Sequence, residues 1–193
     1  MNNNILKKDA KEYDFLTLGY NRFLDLYDEI NNKNFEKMDK QMRFYKIKDI
    51  FSVYSELLSY EPIKSFIEIL KTKRPPMEAE LSGEVLKFIR NILTHFPFFD
   101  TWDDVYVTKK IVNWLSDGQS IDKFLKKYCG HEDIEYRFKY INHKEFTYVV
   151  FSFPKEYSEN KIFLKDIINE IDGIRFCVFL MNRVLMSQVL SIK

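Results

Sequence analysis

The chain has 193 residues, enough for one well-buried core and short for two. Its 30 Lys and Arg against 29 Asp and Glu leave a formal net charge of +1, which excludes a global electrostatic pull toward nucleic acid or membrane. Only 5 Gly and 5 Pro argue against a turn-rich all-β fold, while 18 Phe and 12 Tyr supply apolar area for a core despite a mean hydropathy of -0.34.

The opening residues, Met1-Asn2-Asn3-Asn4 followed by Lys7, Lys8, Asp9 and Lys11, contain no apolar h-region, so no signal peptide is expected. From about Lys11 to Asn31, Leu16, Tyr20, Phe23, Leu24, Tyr27 and Ile30 recur at helical spacing, with Asp25, Asp28 and Glu29 opposite. The polar run Asn31 to Asn34 breaks this helix. A second is predicted from about Phe35 to Ser59, with Met38, Met42, Tyr45, Tyr54, Leu57 and Leu58 among its buried candidates. Pro62 suits the first turn of a short helix through Leu70, which Pro75-Pro76 ends.

A further helix from Met77 to His95 buries Leu81, Val85, Phe88, Ile89 and Ile92, and Pro97 stops it by disfavouring helical geometry at Phe96. Helices are also predicted over Trp102 to Trp114 and Ser120 to Tyr128. The period then changes. Ile134, Tyr136, Phe138 and Tyr140 alternate with polar residues, Asn142-His143-Lys144 turns, and Phe146, Tyr148 and Val150 alternate again, which predicts a β-hairpin at about 134–153. A long apolar helix closes the chain at about 172–191. Arg175, Asn182 and Arg183 interrupt it, so a buried or interfacial helix is expected and no membrane span. The whole reads as a mainly α single domain over 1–193, with a helical core at about 10–128. Cys129 and Cys177 match no disulfide framework, which places the chain in a reducing, cytoplasmic setting.

Arg90-Asn91-Ile92-Leu93-Thr94-His95 is the segment richest in chemistry. A guanidinium can hold a phosphate with paired donors, and an imidazole, with an ordinary pKa of about 6.5, can exchange protons near neutrality. Residues five apart on an ideal helix are rotated about 140° from one another, so either the last turn loosens or a second chain completes the site. Arg137 and His143 show similar spacing, but within the predicted hairpin.

Arg90, Asn91 and His95, four residues between Arg and His at the end of a helix, resemble the motif of the HEPN superfamily. The likeness extends over the helices from about Lys11 to Tyr128; the hairpin and last helix have no counterpart in the minimal bundle. The resemblance implies a helical bundle acting as a homodimer, with no metal or cofactor, that cleaves RNA to a 2′,3′-cyclic phosphate and a 5′-hydroxyl. Arg90 and His95 would be catalytic, Asn91 would orient the phosphate or His95, and toxin, stress or phage-defence roles are common in that superfamily. A non-catalytic module of the same fold, binding RNA or a protein partner, is the alternative.

Other features are simpler. Lys37, Lys40, Arg43, Lys46 and Lys48 form a basic ridge that could follow an RNA backbone or simply be a solvated face. Asp100, Asp103 and Asp104 could hold a divalent cation for phosphodiester chemistry, although Thr101-Trp102-Asp103-Asp104 also reads as a capping box. Cys129, His131 and Glu132 lack a second half-site at zinc spacing. Phe96, Phe98, Phe99 and Trp102 could stack bases or form core and interface contacts. Phosphate loops, dinucleotide fingerprints, nucleophile elbows and His-Glu-x-x-His zinc motifs are absent from the sequence.

Overall fold

Helix α1 (Ala10–Asn31) and helix α2 (Lys40–Ser59) pack side by side at the start of a computed structural model that describes residues 10–61, 63–65, 77–114, 118–129, 134–142, 145–157 and 160–189. Phe23, Leu26 and Ile30 carry the buried stripe of α1. The second helix begins later than its periodicity predicts. Phe35–Lys37 forms a separate 3-10 turn, Met38 is extended, and the Asp39 carboxylate accepts from the Gln41 backbone N–H at 2.8 Å, capping α2. Phe44, Ile47, Ile50, Phe51, Tyr54 and Leu57 make its inner face. Met42 and Tyr45 fall off that stripe and are 52% and 42% exposed, contrary to expectation.

Of the short helix predicted from Pro62, Ile63–Ser65 is helical; the remainder, with Pro75-Pro76, lies outside the described residues. Helix α3 (Met77–His95) has the predicted bounds and buries Leu81, Val85, Phe88, Ile89 and Ile92. The helix predicted over Trp102 to Trp114 is instead three pieces: a 3-10 turn at Trp102–Asp104, strand β1 (Tyr106–Val107) and helix α4 (Lys109–Trp114). The Val105-Tyr106-Val107 run suits extended backbone, and it finds a partner in strand β4 (Ile162–Phe163), with Tyr106 opposite Phe163 and Val107 opposite Ile162. The Thr108 hydroxyl then accepts from the Ile111 N–H at 3.2 Å and restarts the helix. Thr101 makes no backbone cap; its hydroxyl bonds the Asp104 carboxylate at 2.5 Å, so the predicted capping box does not form.

Helix α5 (Gln119–Tyr128) precedes the hairpin, whose strands β2 (Ile134–Asn142) and β3 (Glu145–Phe153) pair antiparallel from Ile134–Phe153 to Asn142–Glu145. This register sets Val149, Phe151 and Phe153 inside with Phe138. Phe146, Tyr148 and Val150, the alternating set noted in the sequence, face outward on the other side of the pleat. After β4 come helices α6 (Leu164–Ile167) and α7 (Asp172–Val189). Arg175, which interrupts the apolar run of α7, is buried and bonds the Ile30 and Asn32 carbonyls at 3.2 Å each and the Glu36 carboxylate at 2.7 Å, so it satisfies the end of α1. Among the described residues no helix is long and apolar enough to cross a membrane. The architecture is mainly helical, as expected, with the hairpin laid against α5 and α7.

Candidate functional site

Helices α3 and α5 run antiparallel and enclose a groove of about 640 Å³. Phe88 and Phe124 stack across it at 4.2 Å between ring centroids and 18° between planes, setting the helix separation. At one end Asn91 meets Ser120; at the other Glu84 meets Lys127. Seven residues of α3 separate those ends, about 10 Å of helix.

Asn91 is the hinge of the first end. It is 6% exposed, and its Nδ2 donates to Ser120 Oγ at 2.7 Å, which fixes the direction of the carboxamide. Its Oδ1 then accepts from Arg90 Nε at 3.1 Å and from Arg90 Nη2 at 2.7 Å. One edge of the guanidinium is thus held against Asn91. Arg90 also acts on buried Tyr54. Burial pushes that hydroxyl far above its ordinary pKa, and the positive charge of Arg90 works against the push.

Arg90, Asn91 and His95 all line this groove. The last turn of α3 does not loosen to achieve it, since the Phe96 N–H still donates to the Ile92 carbonyl at 2.9 Å. Arg90 reaches the groove by folding its long side chain onto Asn91, so an angular separation of about 140° between Cβ directions is no bar. Lys87 and Lys123 add positive charge from the two walls. The far end is already ion-paired: Lys127 bonds Glu80 at 2.7 Å and both Glu84 oxygens at 3.0 Å, which holds its ammonium strongly protonated. Tyr128 donates to Glu84 at 2.5 Å, and burial followed by that carboxylate pushes its hydroxyl up to about 12. The charge available to an anion is therefore concentrated toward Arg90 and His95.

The motif residues come together; the basic ridge does not. Arg43 is 8% exposed and makes a bidentate bond to Glu170, Nε at 3.0 Å and Nη2 at 2.8 Å, with Nη1 on the Met38 carbonyl at 2.7 Å. Lys40 pairs with Asp103 at 2.5 Å, Lys46 pairs with Glu29, and Lys48 donates to the Pro97 carbonyl at 2.9 Å. Lys37 ends the 3-10 turn, exposed. Most of the ridge is engaged in ion pairs and hydrogen bonds within the chain. The acidic cluster is likewise committed, Asp103 to Lys40 and Asp104 to Thr101, and among the described residues no group of three metal-ligating side chains occurs. Asp103 is held below the usual carboxylate range by its bond to Lys40. Cys129 and Cys177 are free and buried, and burial pushes the Cys129 thiol up to about 12. His131, Glu132 and His143 lie outside the described residues, and Arg137 pairs with Glu135 at 3.2 Å on the open face of the hairpin.

Lys87, Ser120 and Lys123 were not singled out in the sequence. Lys87 could have been, because it shares a helical stripe with Asn91 and His95 at intervals of four. Ser120 and Lys123 come from a helix nearly 30 positions away, and only the packing of α5 on α3 brings them in. No family model, curated protein or solved structure matches this chain.

Proposed function

We propose that the α3–α5 groove is the site of a metal-independent endoribonuclease of HEPN-like type, acting as a homodimer. The observation that carries the reading is the gathering of Arg90, Asn91 and His95 in one groove whose unpaired charge is positive. In the proposed reaction the scissile phosphate lies against the outer edge of Arg90. The 2′-hydroxyl of the preceding ribose attacks that phosphate, and the 5′-oxygen of the following nucleotide leaves. Arg90 stabilises the negative charge that builds on the phosphoryl oxygens. His95 moves a proton, accepting it from the 2′-hydroxyl or delivering it to the leaving oxygen. The products are a 2′,3′-cyclic phosphate and a 5′-hydroxyl. Lys87 and Lys123 hold neighbouring phosphates. One imidazole can serve only one of the two transfers at a time, and a second copy of the chain would bring the other.

Incubation of the purified chain with RNA in chelator tests the proposal. Cleavage giving cyclic phosphate ends, and lost in His95→Ala, is the expected result. Unchanged cleavage in that variant would sink the assignment, and chelator-sensitive cleavage would point to metal chemistry instead. A second reading, RNA binding without cleavage, draws on the double grip of Asn91 on Arg90, a posture suited to static phosphate holding. It calls for retained RNA binding with no product.

A further inference from the structure

The chain leaving His95 lays down a row of aromatic rings that the groove does not use. Phe96 is buried, while Phe98 is 69% exposed and lies edge-on to Phe96 at 5.9 Å. Phe98 is 5.0 Å from Phe99, Phe99 is 5.6 Å from Tyr106, and Tyr106 is 5.7 Å from Phe163. The short β1–β4 ladder fixes the last two rings opposite each other. Lysines border the row. Lys161 Nζ lies over one face of the Tyr106 ring, 4.3 Å from its centre, and Lys165 Nζ over one face of Phe163 at 5.1 Å, while Lys48 anchors the turn before Phe98 through the Pro97 carbonyl. Of the nearby acids, Asp103 is bonded to Lys40 and Asp104 to Thr101, and Asp100 is exposed.

One exposed ring, Phe98, continued by the half-buried rings of Phe99, Tyr106 and Phe163 and flanked by ammonium groups, suits a strand whose bases are unstacked and whose phosphates remain outside. A duplex keeps its base faces covered and cannot use them. Phe98 follows His95 by three residues, no more than about 11 Å of chain, so the row begins where a strand leaving the groove would pass. We infer that Phe98, Phe99, Tyr106 and Phe163 form a stacking track for a single-stranded segment of the RNA whose phosphate occupies the α3–α5 groove. This inference rests on reading that groove as an RNA site.

A single-stranded oligoribonucleotide carrying 2′-O-methyl groups reports binding without cleavage, because its blocked hydroxyls cannot attack phosphorus. Fluorescence anisotropy with the full chain is expected to show Phe98→Ala binding it about 5- to 150-fold more weakly, the range of one lost base–aromatic stack. Phe98→Trp is expected to keep wild-type affinity, and the same sequence as a duplex is expected to bind Phe98→Ala and wild type alike. Equal affinity of wild type and Phe98→Ala for the single strand, or no binding by wild type, overturns the track. So does a Phe98→Ala chain whose sedimentation changes from dimer to monomer at unaltered RNA affinity, since the row would then be a contact between copies. The track and the cleavage reading fail separately. A wild-type chain that leaves an unmodified strand intact removes the nuclease, while loss of affinity in Phe98→Ala would still support the track.

Discussion

Asn91 carries more of the proposed site than its place inside the motif suggests. Its carboxamide links Ser120 on α5 to Arg90 on α3, and its two ends have opposite hydrogen-bonding character. Asn91→Asp tests that role with almost no change of shape. The carboxylate would still accept from Arg90, but it would place a negative charge beside the phosphate position and lose the donor to Ser120. RNA affinity is therefore expected to fall at least about tenfold while the thermal midpoint moves little, measured by anisotropy and by calorimetry. Unchanged affinity would show that phosphate does not approach this end of the groove. At this scale the sequence pointed to Arg90, Asn91 and His95 as one local group, because helix ends and short spacings are local properties, and the three line one groove. Ser120 was invisible, since a lone serine in a helix acquires meaning only from the side chain that docks on it.

Among the elements, the long helices were legible and the short pieces were not. The stripes of α1 and α3 are set by apolar residues three and four apart, and Pro97 marks the end of α3. The stretch from Trp102 to Trp114 misled because its apolar residues fit a helical spacing while Tyr106 and Val107 found strand partners in Phe163 and Ile162, far along the chain. Arg43 shows the same limit. Its place among lysines on α2 suggested a phosphate contact, yet Glu170, arriving just before α7, turns it into a structural tie. With both side chains 10% and 15% exposed, removing one partner leaves an uncompensated charge. Arg43→Ala is expected to destabilise the fold by about 3 kcal/mol or more in denaturant unfolding. A fully stable Arg43→Ala chain with weakened RNA binding would restore the ridge as an RNA surface.

At the level of the whole molecule, the proposed cleavage would require two proton transfers from a chain with one imidazole in its groove. Attack by the 2′-hydroxyl releases a proton, and departure of the 5′-oxygen requires one. His95 is the only histidine among the described residues, and burial places the Tyr128 hydroxyl at about 12 and the Tyr54 hydroxyl higher still, out of range near neutrality. A two-fold dimer that brings two grooves together would supply both imidazoles from a single gene product, the commonest symmetry for such a solution. Mixing decides this. When wild-type and His95→Ala chains are unfolded together in equal amounts and refolded, random pairing leaves about a quarter of the dimers with two intact histidines. If each cleavage needs both imidazoles, activity per total chain is expected to fall to about that quarter of the wild-type value. A fall to about one half instead would mean that each cleavage needs only one His95. The proposal of a composite dimeric site would then give way to a groove that finds its second proton in solvent.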